Sequence, residues 1–286
     1  MAVQTWTTLG VLDWTTQRFT EAGIAGARLE AQLLLAHVLQ CTRTQLYMAF
    51  DKPLAETELA GYRALIKRRL GGEPVAYLLG EHEFWGMPVF VDHNVLVPRP
   101  DTETVIEVAR TLVSDRTAPC RVLDLCTGSG AIALGLAKEL PAAIVIGTEI
   151  SPEAVAIAQK NVERNGFGDR VEIRHGDLFA PVIGETFDLI VANPPYIATA
   201  VIATLSPEVR REPLIALDGG RDGLVFYDRI LSDVARHLTS GGAVVLEHGF
   251  DQAAAVRERF ERVHFTAITL VHDLAKQPRV TWARRS

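Results

Sequence analysis

Residues 121–134 read R-V-L-D-L-C-T-G-S-G-A-I-A-L, and this stretch decides the fold class. It begins as a short apolar strand, passes through a glycine-rich turn and continues as a helical pattern. Glycine at positions 128 and 130 lets the backbone turn sharply and approach a ligand closely. At the end of the next predicted strand, residues 143–150, Glu149 can accept hydrogen bonds from both hydroxyls of a ribose. The spacing predicts a nucleoside-binding α/β domain.

Predicted strands and helices alternate along the rest of this region. Ser151 and Pro152 form a helix start, with a capping residue followed by proline at the first helical position. The alternation predicts a mostly parallel sheet that is covered on both faces by helices. Two strand-like runs at 263–271 and 279–283 have no helix between them, which predicts one antiparallel strand. Further strands are predicted at 170–177, 187–192 and 242–247, and further helices at 222–237 and 251–262.

Two classes of cofactor fit the glycine-rich turn. Gly128, Gly130 and Ala133 match the dinucleotide fingerprint, which would make the protein a dehydrogenase. Asp124 favours S-adenosylmethionine, because a carboxylate near the ligand end of the strand would repel a pyrophosphate but attract an ammonium group. The N-P-P-Y run at 193–196 also favours it, since such a run has a clear role in methylating nitrogen and none in hydride transfer. The sequence therefore predicts S-adenosylmethionine as the cofactor.

The N-P-P-Y run predicts a rigid clamp for a planar NH2 group. Proline fixes its own φ and forces the preceding residue out of the helical region, so Asn193 is held extended. The side-chain carbonyl of Asn193 and the backbone carbonyl of Pro194 can each accept one N–H, and Tyr196 offers a flat wall. An amide or the exocyclic amine of a base would suit this pair of acceptors. A Pro-Pro turn that merely leaves a strand would have the same sequence.

Several runs resemble the HemK-type methyltransferases, the PrmC group, which methylate the side-chain amide nitrogen of glutamine in peptide chain release factors. The resemblance covers nearly the whole chain, and its most distinctive run is V-P-R-P-D-T-E at 97–103. The N-P-P-Y run is less specific, because several other nitrogen methyltransferases share it. The remaining matches are G-E-P-V-A-Y at 72–77, E-F-W at 83–85, E-P-L at 212–214, L-E-H-G at 246–249 and R-V-T at 279–281.

The resemblance implies a class I, Rossmann-like fold with a seven-stranded, mostly parallel sheet, and methylation of the glutamine in the Gly-Gly-Gln motif of class 1 release factors. It also implies a cytoplasmic monomer that requires neither nucleic acid nor metal. The implied cofactor contacts are Cys126, Thr127, Gly128, Ser129, Gly130, Glu149, Asp177, Leu178 and Asn193. The implied substrate contacts are Asn193, Pro194, Pro195 and Tyr196. Cys126 stands where the family usually has glycine, Glu149 where aspartate is commoner, and Leu178 where some relatives have an aromatic residue.

The composition is compatible with one large and one small domain. The chain has 286 residues, of which 48% are hydrophobic, and a formal net charge of -6, which argues against general affinity for duplex nucleic acid. No stretch approaches the roughly 18 apolar residues of a membrane span, and neither a signal peptide nor a metal-ligand spacing of the cysteines is evident. We expect a helical substrate-recognition domain at 1–80, a β-hairpin linker at 81–100 and the methyltransferase domain at 101–286.

The first 80 residues predict four or five short helices, with the strongest signals at 27–40 and 56–70. Lys67, Arg68 and Arg69 crowd the end of the second of these, which is typical of a solvated helix terminus. A hairpin is predicted at 84–97, with its turn at 92–94.

Three other functions stay open: methylation of glutamine in another translation protein such as a ribosomal protein, methylation of adenine in DNA, and binding of S-adenosylmethionine without catalysis.

Overall fold

The computed structural model describes residues 6–285. The chain divides into two compact units. The first contains the described residues as far as Gly80 together with Pro207–Arg211. The second contains Glu81–Ser206 and the described residues from Glu212 onward.

The first unit is helical, as predicted. Its buried core includes Phe19, Leu34, Leu35 and Tyr62, and the Tyr62 hydroxyl donates a hydrogen bond of 3.0 Å to the Ala31 carbonyl. Burying a tyrosine is tolerated because its hydroxyl finds a partner. The helices are α1 (Thr8–Glu21), α2 (Ala27–Leu39), α3 (Arg43–Met48), α4 (Glu56–Leu70) and α5 (Val75–Leu79).

One of the three cations at the end of α4, Arg69, is not solvated as its sequence suggests, whereas Lys67 and Arg68 are exposed. The side chain of Arg69 is only 4% exposed and forms ion pairs with Glu30 at 2.5 Å and with Glu208 at 2.8 Å. Arg68 pairs with Glu73. A helix end rich in cations is commonly solvated, but Glu30 and Glu208, which pair with Arg69, come from positions distant in sequence and could not be predicted locally. The prediction was therefore wrong for Arg69.

The second unit begins with a hairpin whose turn lies earlier than predicted. Strands β1 (Glu81–Phe84) and β2 (Met87–Phe90) are joined by Trp85 and Gly86. Both turn residues have positive φ, at 52° and 63°, as a two-residue turn that follows the strand twist requires. Residues 92–94 do turn, since Val95 N–H donates to the Asp92 carbonyl, but they follow β2 and do not connect the strands.

The main sheet has seven strands and confirms the predicted fold class. Its strands are β3 (Cys120–Leu125), β4 (Ala143–Glu149), β5 (Val171–His175), β6 (Phe187–Ala192), β7 (Leu238–Glu247), β8 (Thr266–His272) and β9 (Pro278–Arg284). The spatial order is β5-β4-β3-β6-β7-β9-β8. The first five strands in this order are parallel, and β9 runs antiparallel to both of its neighbours, which accounts for the antiparallel strand predicted at the chain's end.

Helices cover both faces of this sheet. Successive residues of a strand point to opposite faces, and Val122 and Leu123 of β3 are both fully buried. No described helix is long and apolar enough to cross a membrane. The helices of this unit are α6 (Glu103–Leu112), α7 (Ala131–Glu139), α8 (Pro152–Arg164), α9 (Thr199–Ile202), α10 (Leu214–Leu217), α11 (Val225–His237) and α12 (Ala253–Arg262).

Candidate active site

A cavity of about 230 Å³ opens beside the carboxyl ends of β3, β4 and β6. Ligands of open α/β sheets bind at this edge, because the loops that follow parallel strands all emerge there. Its wall includes most of the predicted site residues: Cys126, Thr127, Gly128, Ser129, Glu149, Asp177, Asn193 and Pro195. The remaining predicted residues, Gly130, Leu178, Pro194 and Tyr196, are not part of the wall.

The glycine-rich loop is held by backbone hydrogen bonds at its start and its end. Thr127 N–H donates to the Thr148 carbonyl at 3.1 Å, and Gly130 N–H donates to the Thr127 carbonyl at 2.8 Å. Gly130 then precedes the first residue of α7 with φ of 82°. Cys126 also adopts a positive φ, 57°, which disfavours residues that have a side chain. Glycine, which the resemblance implies at this position, would adopt this backbone conformation without strain.

Asp124 does not face the cavity as the sequence suggested. Its side chain is fully buried beneath the loop, where Oδ2 accepts hydrogen bonds from the Thr127 hydroxyl at 2.6 Å and from Ala133 N–H at 3.1 Å. Oδ1 has no hydrogen-bond partner among the described residues. Burial raises the pKa of this carboxyl to about 7, against the opposing effect of its two hydrogen bonds. Asp124 therefore shapes the loop from below.

The raised pKa of Asp124 predicts a pH-dependent contribution to stability. Between about pH 4 and 7 the folded protein holds the Asp124 proton more tightly than the unfolded chain does. The protonated carboxyl therefore stabilises the folded state, and this stabilisation is lost as pH rises through that range. Asp124→Asn keeps an oxygen for both donors and cannot ionise. We expect the free energy of unfolding of the variant, measured with urea, to rise relative to that of the wild type by roughly 2–3 kcal/mol from about pH 5 to pH 8.

The exposed Asp115 provides the control for this measurement. Hydrogen bonds from Thr117 lower the pKa of Asp115, so this carboxyl is ionised throughout the same range. The difference in the free energy of unfolding between Asp115→Asn and the wild type should therefore stay constant from about pH 5 to pH 8. A constant difference for Asp124→Asn as well would mean that Asp124 is already ionised in the folded protein.

Glu149 joins the glycine-rich loop to the start of α8. Its Oε2 accepts a hydrogen bond from Gly128 N–H at 3.0 Å, and its Oε1 accepts one from Ser151 N–H at 3.0 Å. The side chain is 9% exposed and forms part of the cavity wall. Each carboxylate oxygen can accept more than one hydrogen bond, so this arrangement leaves capacity for ligand hydroxyls.

Asp177 has a partner that the sequence did not reveal. Arg229 of α11 forms an ion pair with it at 2.5 Å, and both side chains are about two-fifths exposed. Arg229 and Phe226 also line the cavity, and the two stand one helical turn apart. Helical periodicity places them on one face, but nothing local shows that this face meets the sheet edge. Leu178, in contrast, packs in the hydrophobic core and is 7% exposed.

The N-P-P-Y run leaves β6 and contributes two residues to the cavity wall, Asn193 and Pro195. Asn193 Nδ2 donates to the Thr102 hydroxyl oxygen at 3.2 Å. Tyr196 packs against the hydrophobic core, and burial raises the pKa of its hydroxyl. Its carbonyl accepts a hydrogen bond of 2.9 Å from Gln252 Nε2, which fixes the end of the run.

The run at 97–103 is attached to other runs that share the same resemblance. Arg99 forms an ion pair of 2.7 Å with the fully buried carboxylate of Glu212. Asp101 pairs with Arg279 at 3.2 Å. Residues 94–96, Pro98 and Thr102 also line the cavity. The sequence predicts a linker as far as residue 100, since the pairing of residues more than a hundred positions apart leaves no local signal.

Comparisons with known proteins agree with this geometry. Residues 10–80 match the family described as PrmC N-terminal domain, and residues 105–206 match the methyltransferase small domain. A methyltransferase structure from Pyrococcus furiosus, 20% identical, shares the fold with a TM-score of 0.54 over 79% of this chain and 99% of its own.

Two curated relatives carry the same name. Release factor glutamine methyltransferase of Geobacter sulfurreducens is 48% identical over 91% of this chain and 90% of its own length. The protein of that name from Agrobacterium fabrum is 41% identical over 94% of both chains. At these identities and coverages, the chain belongs to the release factor glutamine methyltransferase family.

Proposed function

We propose that this protein transfers a methyl group from S-adenosylmethionine to the side-chain amide nitrogen of the glutamine in the Gly-Gly-Gln motif of class 1 release factors. The observation that carries the proposal is that Glu149 and Asn193 lie on the wall of one cavity. A carboxylate for a ribose and an amide oxygen for an NH2 group are thereby brought together. The names of the relatives, which match nine-tenths of the chain, support the same substrate.

The cavity residues fit this cofactor chemically. The Glu149 carboxylate suits the ribose hydroxyls, and the backbone of residues 126–129 borders the same space. Phe226 provides an aromatic side chain in the cavity wall, whereas Leu178 packs in the hydrophobic core and does not line the cavity. Asp177 suits the adenine amine, provided that Arg229 leaves one of its oxygens available. When bound, S-adenosylmethionine supplies a methyl group that its sulfonium already activates.

The residues of the chain contribute mainly by positioning. The lone pair of an amide nitrogen is delocalised into its carbonyl, so the nitrogen attacks weakly unless it is correctly oriented. Asn193 Oδ1 and the Pro194 carbonyl would each accept one N–H and aim the nitrogen at the methyl carbon. The N–C bond forms as the C–S bond breaks, and the extra proton then leaves the nitrogen for water. No residue needs to act as a general base before transfer.

Mass spectrometry tests this function directly. A peptide containing Gly-Gly-Gln and an intact release factor, each incubated with S-adenosylmethionine and this protein, should gain one methyl group on the glutamine. The same peptide with glutamate in place of glutamine should gain none. Parallel reactions with a ribosomal protein and an adenine-containing DNA duplex examine the alternatives. Methylation of either one, with the release factor unmodified, would contradict the proposal.

Replacing Glu149 should weaken cofactor binding. Glu149→Ala removes charge-assisted hydrogen bonds worth roughly 1.5–3 kcal/mol, so the Kd for S-adenosylhomocysteine in titration calorimetry should rise roughly ten- to a hundredfold. The control is Glu153→Ala, which removes an exposed carboxylate near the start of α8, the helix that follows Glu149, and should leave the Kd unchanged. Unchanged affinity in a folded Glu149→Ala protein would place the ribose elsewhere, and tight binding of NAD would favour a dehydrogenase.

We also infer that the protein works as a monomer in the cytoplasm, without a requirement for nucleic acid. The net charge of -6 offers no general attraction for a nucleic acid backbone.

A further inference from the structure

The amide of Asn193 has a defined orientation in the cavity wall. Because Nδ2 donates to Thr102 Oγ1 at 3.2 Å, Oδ1 points to the other side of the planar group. Thr102 closes the short turn Pro100–Thr102 before α6, and its side chain is only 4% exposed. The hydroxyl is therefore a fixed part of the wall that limits how the Asn193 amide can rotate.

A buried acid lies behind this pair. Ala192 of β6 is in register with Leu246 of β7, so Asn193 and Glu247 are the next residues of two adjacent parallel strands. Glu247 is 1% exposed, and its Oε2 has no hydrogen-bond partner among the described residues. Burial raises the pKa of Glu247 to about 7, while the neighbouring polar side chains of Thr102 and Asn193 and the charge of Arg279 oppose this rise.

The Asn193–Thr102 hydrogen bond leaves the single proton of the Thr102 hydroxyl available for another acceptor. Thr102 accepts a hydrogen bond from Asn193, so its own proton is free to point toward an acceptor. The buried Glu247 carboxyl group, whose Oε2 has no partner among the described residues, is the neighbouring acceptor. If the Asn193 amide were reversed, its oxygen would take the single Thr102 proton, and the buried Glu247 carboxyl group would lose that donor, which is unfavourable in a buried environment. This arrangement thus favours the orientation in which Oδ1 faces the cavity.

We propose that Thr102 and Glu247 are positioning residues, which hold the Asn193 amide with its oxygen toward the substrate nitrogen. This inference rests on the proposed function, because it takes Asn193 as the acceptor of a substrate N–H. It adds a basis for selecting glutamine over glutamate. An NH2 group meets an acceptor at Oδ1, whereas a carboxylate in the same place meets another oxygen and is rejected.

The first test compares two substitutions at position 102. Thr102→Val removes the hydroxyl at almost constant shape, whereas Thr102→Ser retains it. We expect kcat on the Gly-Gly-Gln peptide to fall roughly tenfold in Thr102→Val and to stay within about twofold of the wild type in Thr102→Ser. Affinity for S-adenosylhomocysteine should be unchanged in both. Equal activity of the wild type and a folded Thr102→Val protein would overturn the proposal.

A double-mutant cycle separates positioning from a general structural effect. If Thr102 acts through Asn193, Thr102→Val should have no further effect on kcat in an Asn193→Ala background. Glu247→Gln, which can donate to Thr102 and reverse this arrangement, should lower kcat in the wild-type background and likewise have no further effect without Asn193. Losses of the same size in both backgrounds would show that these residues support the fold and do not orient Asn193.

Nuclear magnetic resonance tests the orientation without relying on activity. The side-chain NH2 signals of Asn193 can be assigned by their disappearance in Asn193→Ala. One of these protons should exchange slowly with solvent in the wild type and Thr102→Ser, and several-fold faster in Thr102→Val. Equal exchange in all three would overturn the positioning role. A wild type that shows this protection but does not methylate glutamine would contradict the proposed function and leave the orientation of Asn193 supported.

Discussion

Replacing Asn193 with alanine is expected to lower the rate of methyl transfer by about 10²–10³-fold, which is the typical cost of losing one preorganised polar contact at a reacting centre. The substitution removes the side-chain oxygen that we propose accepts a substrate N–H. The glycine-rich loop, which follows β3, and Glu149, at the end of β4, stay intact. Affinity for S-adenosylhomocysteine should therefore remain close to that of the wild type, so that kcat falls and cofactor binding does not.

Two further variants make this result specific. Asn165→Ala removes an asparagine of the same unit, whose Nδ2 donates to the Pro88 carbonyl at 3.0 Å, and it should retain nearly full activity. Asn193→Asp keeps an oxygen but loses the donor to Thr102 and places a negative charge near Glu247, so it should not restore the rate. Normal methylation by Asn193→Ala would mean that the N-P-P-Y run is only a turn that leaves β6.

The fold and much of the cavity wall could be predicted because they depend on local patterns. Each strand of the parallel sheet is a short apolar run followed by a polar or glycine-rich stretch. The carboxyl ends of such strands meet at one edge. The loop at 126–129, Glu149 and Asn193 could therefore be expected to lie near one another from the order of strands alone.

The features that sequence analysis missed depend on contacts between distant residues or on backbone conformation. The alternation of β3 makes every second residue face the same way, but it does not show whether Asp124 faces the ligand or the loop. The hairpin turn was misplaced because a tryptophan at positive φ, Trp85, gives no turn signal, whereas residues 92–94 do. Thr102 and Glu247 lie far apart in sequence and come together only through packing around Asn193.

Removing the first 80 residues is expected to reduce kcat/KM on an intact release factor by roughly 10²-fold or more, with a much smaller effect on a short Gly-Gly-Gln peptide. We propose that this helical unit recognises the protein substrate, because none of its residues from position 6 onward belongs to the cavity wall. Methylating one glutamine of a folded protein requires contacts beyond a single amide. Binding of S-adenosylhomocysteine by the shortened protein, which begins at Glu81, confirms that it has folded.

This removal also takes away the partners of residues 207–211, and a full-length control separates the two effects. Glu208 pairs with Arg69, and Arg211 donates a hydrogen bond of 3.0 Å to the Gly71 carbonyl. Glu208→Gln in the intact chain weakens the attachment of this segment while retaining the helical unit. We expect this variant to keep most of its activity on both substrates. If it instead loses as much activity as the shortened protein, or if that protein loses protein and peptide methylation equally, the helical unit supports the fold and does not recognise the release factor.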